Sequence, residues 1–455
     1  MASIPSPVTR RAWLGGLAGG AALAACAPGP APTLAPGQPA ATPAPPRLSA
    51  GQTLVTLMHQ RNELSEKEQQ QFEAANPTIR LYLINNDHTA LMAMTAAGNP
   101  PDLFRLQAPD VPGFLARKML RDLTPNFKLS AAIKLDDLAE ANKSYMYTGM
   151  AVGGGNIYGM CKDWSPDLTL YANKKLFAAA GVALPSDETR LSYQDVAQYA
   201  QRLTKKAGDR VEVVGFGYAN DWLDRIVEAQ LNTEGASLWA PDFGRLNATA
   251  PEARKALAYW FELARANVTF NPLNPAASWS GDQFTKEQVA ITQYGYWFSA
   301  MAESDKTKGN VVKLPSPTWG PNHKNPTITA TGAAIHARTN VPDQTWTAFE
   351  WYNAKEPAVA RAKSGWGVPA LKSLYQLMPS ETPFQKQVQK VLQGELRLAD
   401  VAVRFNPYIA QNTFPKTWTK HLEAALKGQL SFDQLLTSLE RDVNEVIKEG
   451  QERLK

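Results

Sequence analysis

The 455-residue chain has only two cysteines and five histidines. The histidines are far apart, with no H-x-x-x-H or C-x-x-C spacing, so no local motif supports a metal site. Cys26 and Cys161 are the only thiols, and if Cys26 is modified no intramolecular disulfide remains; stability must then come from the core. Cys161 has no base-like residue beside it in sequence, which points to a small buried hydrophobe rather than a nucleophile. A phosphate-binding G-x-x-x-x-G-K-[ST] is also missing, and Gly153-Gly154-Gly155 lacks the lysine that such a loop needs. Basic residues do not cluster, and the formal charge of +5 falls to about +3 without Arg10 and Arg11. That balance argues against nucleic acid as a partner.

A membrane-spanning run is lacking too. Ala12 to Ala25 is uncharged, but it falls short of the ~20 apolar residues that a spanning helix requires. Arg10-Arg11, a short apolar core and small residues before Cys26 instead describe an export signal over residues 1–25. The arginine pair resembles the twin-arginine type. Leu23-Ala24-Ala25-Cys26 is similar to the lipobox of bacterial lipoproteins, which implies that Cys26 is acylated and becomes the mature N-terminus. Ala, Pro, Gly and Thr dominate the stretch from Ala27 to Pro46. That composition favours extended polyproline II and cannot bury a core, so residues 26–50 read as a tether.

What is present, from Leu48 onward, is enough chain for two domains. Leu54 to Met58 reads as a first strand, stopping at His59-Gln60-Arg61-Asn62. Ser65 and Glu68 have capping-box spacing for a helix that ends at Asn76-Pro77. Further strands are expected at Ile79 to Ile84, Asp102 to Leu106 and Val211 to Phe216, alternating with helices as in a parallel α/β sheet. Loops after the carboxyl ends of such strands line the ligand crevice, which places His59, Asp87, Arg105 and Gln107 at its edge. Trp260 falls on the apolar face of a helix after Pro251 and belongs to the core.

Several segments in order resemble the extracellular solute-binding proteins of ABC importers, in their carbohydrate-binding, maltose-binding-protein-like group. They are G-N-P-P-D at Gly98 to Asp102, then Y-G-M followed by L-Y-A-N-K-K-L-F-A-A-A-G-V-A-L-P. After these come K-E-Q-V-A-I-T-Q-Y-G-Y-W, L-P-S-P at Leu314 to Pro317, T-G-A-A-I-H-A-R-T-N, and G-W-G-V-P-A-L-K-S at Gly365 to Ser373. Cys161 and Ala172 stand where the family commonly has proline and tyrosine. The resemblance implies a two-lobed, type II periplasmic-binding-protein fold of α/β class with the solute held between the lobes. It puts residues 51–160 and 294–343 in the first lobe, 161–293 and 344–455 in the second, and crossings near Gly159-Met160, Tyr294-Gly295 and Val341 to Trp346.

It further implies a monomeric, non-enzymatic binding protein that needs no cofactor, captures a sugar or oligosaccharide and delivers it to a membrane permease. The protein would be exported and lipid-anchored at the outer face of the cytoplasmic membrane, or at the periplasmic face in a two-membrane cell. A sugar site needs flat faces for pyranose C–H groups and polar groups for hydroxyls that lose water. Trp164, Trp297 and Trp366 are the stacking candidates. Asp163, Asp87, Arg105, Asn220 and Asp221 are hydrogen-bonding candidates, while Tyr296 could stack or donate and His59 donate. Alternatives are an exported glycosidase with a carboxylate pair, a ferric-iron protein using Tyr294 and Tyr296, and a binder of another polar solute such as glycerol phosphate.

Overall fold

The computed structural model describes residues 44–60, 63–208, 210–399 and 403–454. The export signal at 1–25, Cys26 and the tether as far as residue 43 lie outside the described residues. Two mixed sheets, each flanked by helices, form the two lobes. In the first sheet the strands run in the order Val368–Pro369, Met160–Trp164, Thr331–Ile335, Leu103–Gln107, Thr53–His59, Ile79–Asn85. The second has the order Val311–Leu314, Leu170–Asn173, Val289–Gln293, Arg210–Gly217, Lys205–Ala207.

The β-rich run at the start of the folded chain becomes the strand Thr53–His59, which pairs in parallel with Ile79–Asn85 and Leu103–Gln107. Between them, Ser65 caps helix Glu66–Ala75 in a reciprocal box with Glu68, satisfying amide donors at the helix start. Helix Pro251–Arg265 turns Ala256, Leu257 and Trp260 inward, and all three are fully buried.

Sheet membership changes at places other than the expected boundaries. Met160–Trp164 still pairs with Thr331–Ile335 in the first sheet, while Val311–Leu314 pairs with Leu170–Asn173 in the second. Helix Pro342–Ala354 packs on the first sheet, and helix Pro383–Leu396 on the second. The chain therefore passes between the sheets at 165–169, 315–330 and 370–382. These pairings join residues well over 100 positions apart, as Val311 with Asn173 and Thr331 with Asp163, so no local pattern reveals them. They also make the sheets mixed rather than parallel, because the returning strands run antiparallel.

The crossings are fastened by Asp167. Its Oδ2 accepts from the backbone N–H groups of Ile328 at 2.7 Å and Thr329 at 2.9 Å, and from the hydroxyls of Thr329 and Thr327. Its Oδ1 accepts from Ser165. Gly295 passes so close that a Cβ there would collide with Ser165 and Asp167. Among the described residues no helix is long and apolar enough to cross a membrane.

Candidate functional site

Parallel strands deliver their loops to one edge of each sheet. In the second lobe, Arg210–Gly217 leads into Tyr218 to Trp222, and Val289–Gln293 leads into Tyr294 to Phe298. These two loops wall a cavity of about 500 Å³ with Trp279 and the helix Thr413–Leu426. Asn220, Asp221 and Trp297, singled out from sequence, all line it. So do Trp222, Trp279 and Tyr294, which complete an aromatic basin. Trp297 stacks near Trp279 with ring centroids 6.1 Å apart and planes 26° from parallel, and meets Trp222 edge-on at 6.1 Å. The indole N–H of Trp297 is buried without a hydrogen-bond partner. A buried donor left unpaired costs free energy that a ligand hydroxyl would recover.

A second chamber, of about 450 Å³, lies at the carboxyl end of the first strand of the first lobe. Gln60, Glu63, Lys162, Arg361 and Trp366 line it. Gly365, at φ 72°, closes helix Glu356–Ser364 in the left-handed conformation and turns Trp366 outward, where it is 42 % exposed. Trp366 and Trp297 meet with centroids 6.3 Å apart, joining the chambers.

Behind this chamber stands a buried ion network. Glu63 Oε1 receives Arg105 Nε and Lys162 Nζ, each at 3.1 Å, and Glu63 Oε2 receives the Tyr352 hydroxyl at 2.9 Å. Lys162 also bonds Asp163, and Arg105 reaches the Thr331 hydroxyl at 3.4 Å. Burial alone would raise the Glu63 pKa, but Lys162 and Arg105, with hydrogen bonds from Lys162 and Tyr352, overcome it and hold the group at about 2. Two cations thus keep Glu63 ionised, and the two carboxylates in turn compensate the cations. Arg105 and Asp163 thus hold the chamber wall in place.

The folded-state pKa of Glu63 lies below its ordinary 4.5, so its stabilisation is complete above pH 4.5 and is lost as pH falls toward 2. The shift corresponds to about 3 kcal/mol. Denaturant unfolding of the parent protein and Glu63→Gln should show a stability gap that narrows by that amount between pH 5 and pH 2. A gap that does not change with pH would contradict it.

The remaining candidates go elsewhere. Trp164 is only 5 % exposed, packs in the core and donates its indole N–H to the Pro369 carbonyl at 3.1 Å. It has no free face for stacking. Asp87 caps helix His88–Ala96, accepting from Thr89 and Ala90 backbone N–H groups. His59 is buried at the strand end with Nδ1 unpartnered, and burial pushes its pKa below the ordinary value. Tyr296 is buried, and its hydroxyl accepts from Gln389 at 3.2 Å. Burial pushes its phenol up to about 12 and raises that of Tyr294 further. Cys161 is fully buried, its thiol pushed up by burial.

Sequence reasoning passed over Glu63, Lys162, Trp222, Trp279 and Arg361. Trp222 directly follows Asn220-Asp221 and could have been found as part of the same loop. Trp279 is 43 % exposed, but no periodicity marks it as a surface ring. From the opposite lobe, Asp110 Oδ2 accepts from Gln411 Nε2 at 2.5 Å, and Gln411 Oε1 accepts from buried Arg225, giving a polar bridge between the lobes.

Two α/β lobes joined by crossing segments, with aromatic and polar loops at their strand ends, define a two-lobed binding protein. Residues 59–359 match the bacterial extracellular solute-binding protein family, and the chain belongs to it. An ABC substrate-binding protein from Listeria monocytogenes in complex with cycloalternan is similar in structure, with a TM-score of 0.71 at 20 % identity. That match covers 87 % of this chain and 99 % of the other. The sugar-binding protein MalE from Xanthomonas citri gives 0.67 at 18 % identity, over 88 % and 98 % of the two chains. The maltose/maltodextrin-binding domain MalE from Bdellovibrio bacteriovorus, bound to maltotriose, gives 0.65 at 12 % identity, over 87 % and 100 %. Identities this low speak for the fold. No curated protein sequence matches the chain. The family and these neighbours are transport binding proteins rather than enzymes.

Proposed function

We propose that this protein is the lipid-anchored, substrate-binding component of an ABC importer, capturing a sugar or oligosaccharide between its lobes and delivering it to a membrane permease. The observation that carries this reading is the basin of Trp222, Trp279 and Trp297, continued by Trp366, beside Asn220 and Asp221 at the strand ends. Flat rings match pyranose C–H faces, and the adjacent carboxylate and amide match hydroxyls. Relatives of the same fold bind cycloalternan and maltotriose. A ligand shifts the open/closed equilibrium only by its differential affinity, so contacts from both lobes are what close the cleft. The resemblance of Leu23 to Cys26 to a lipobox supports acylation at Cys26, and tethering would raise the effective concentration near the permease.

Thermal-shift screening of the full chain against neutral and acidic saccharides tests the reading. A true ligand at 100 times its dissociation constant stabilises the native state by ~2.7 kcal/mol. Silence across the whole panel would remove the saccharide. Mass spectrometry of membrane-extracted protein tests the anchor, which an unmodified Cys26 inside a longer chain would exclude.

Trp366→Ala should lower saccharide affinity about tenfold, the equivalent of ~1.4 kcal/mol for a lost stacking face. Because the ring is 42 % exposed, ligand-free stability should change by no more than ~0.5 kcal/mol. Calorimetric titration and ligand-free unfolding curves check the two halves separately. An unchanged dissociation constant would take Trp366 out of the site.

A further inference from the structure

Stacking on tryptophan leaves one feature of the second chamber unused. Arg361, on helix Glu356–Ser364, lies over the Tyr352 ring, 4.7 Å from its centroid, and donates from Nη2 to the Tyr352 carbonyl at 2.6 Å. Its Nε and Nη1 are buried with no hydrogen-bond partner. Together these two nitrogens carry three N–H donors. The carboxylates around the chamber are already engaged. Glu63 holds Arg105 and Lys162, Asp163 holds Lys162, and Glu68 caps its own helix through Ser65.

Guanidinium nitrogens out of reach of water and of any acceptor are costly to keep. Surface arginines avoid that cost by hydration, but the two nitrogens of Arg361 do not. The side chain as a whole is only partly buried and has no ion pair to break. Turning toward the chamber therefore gives up one backbone acceptor and a ring contact. An ionised acceptor repays that better than a neutral hydroxyl, because charge-assisted hydrogen bonds are roughly twice as strong.

We propose that the solute is an acidic saccharide, whose carboxylate or phosphate group is taken by Arg361 in this chamber while a sugar ring lies against Trp366. The inference rests on the saccharide reading of the cleft and adds the charge of the ligand to it.

Calorimetric titration of the full chain with matched probes tests it: digalacturonate against galactobiose, glucuronate and glucose 6-phosphate against glucose, and glycerol 3-phosphate without a sugar ring. At least one acidic saccharide should bind tenfold or more tightly than its neutral partner. Uronates winning would assign a carboxylate, and glucose 6-phosphate winning a phosphate. Arg361→Gln should lower the acidic-to-neutral affinity ratio at least tenfold. The same substitution gives up the bond to the Tyr352 carbonyl and the ring contact but also removes two unpartnered buried nitrogens, so the ligand-free melting temperature should change little, which shows that the variant folds. Neutral saccharides binding as tightly as acidic ones would overturn the proposal and leave the sugar reading standing, as would a ratio insensitive to Arg361→Gln. Binding of glycerol 3-phosphate alone, with no saccharide bound, would overturn both the sugar reading and the acidic-saccharide assignment.

Discussion

Trp164→Ala should cost about 3–5 kcal/mol of stability, the usual range for truncating a buried tryptophan, and leave the dissociation constant of the folded protein nearly unchanged. The indole fills the space under Val368–Pro369 at the edge of the first sheet and closes it with a hydrogen bond to the Pro369 carbonyl. Truncation opens a cavity and leaves that carbonyl without its donor. Trp297→Ala should do the reverse in binding, lowering affinity by a factor of ten or more, because Trp297 stands between Trp279, Trp222 and Trp366 where the two chambers meet. Unfolding curves without ligand and titrations of folded variants separate the two residues. If Trp164→Ala weakens binding as much as Trp297→Ala does, the division between core and site drawn here is wrong.

The contrast between these tryptophans shows how far the sequence could be read. Both follow family-like segments, and both could end at the cleft on that ground. Trp164 ends a strand that later pairs with Val368–Pro369, a partner some 200 residues away, and that pairing buries it. Strand and helix identities were legible because they depend on neighbours: the capping box at Ser65 and Glu68, and the apolar face of Pro251–Arg265, are local facts. Sheet membership was not legible, since it is decided by pairings such as Val311–Leu314 with Leu170–Asn173. The same limit governs the site. Asn220, Asp221, Trp297 and Trp366 occupy loops that local signals mark as strand ends or helix ends, and they line the chambers. Asp87 lies at the same kind of strand end but spends its carboxylate on a helix cap. Glu63, Lys162 and Arg361 carry no motif, and their importance comes only from what folding brings around them, a counter-charge for the first two and none for the third.

Asp167→Ala is expected to destabilise the protein by about 3–5 kcal/mol, and Asp167→Asn by much less, about 1 kcal/mol. The carboxylate is fully out of solvent, and burial pushes its pKa above the ordinary value. Five donors converge on it from both sides of the crossing: Ser165 on one crossing segment, and Ile328, Thr327 and twice Thr329 on the other. Alanine strands all of them, including two backbone N–H groups with nowhere else to turn. Asparagine keeps an oxygen for the two backbone N–H groups and the threonine hydroxyls, and presents its amide to Ser165, whose hydroxyl can rotate to accept. The difference between the two variants therefore measures the hydrogen-bond convergence separately from the charge. It also bears on transport, because 165–169 and 315–330 are two of the three places where the chain passes between lobes. If Asp167 is the clasp of those crossings, Asp167→Ala should separate the unfolding of the lobes into two transitions by calorimetry, whereas Asp167→Asn should retain one. Equal destabilisation by both substitutions would mean that charge, not the convergence of donors, holds the crossing together.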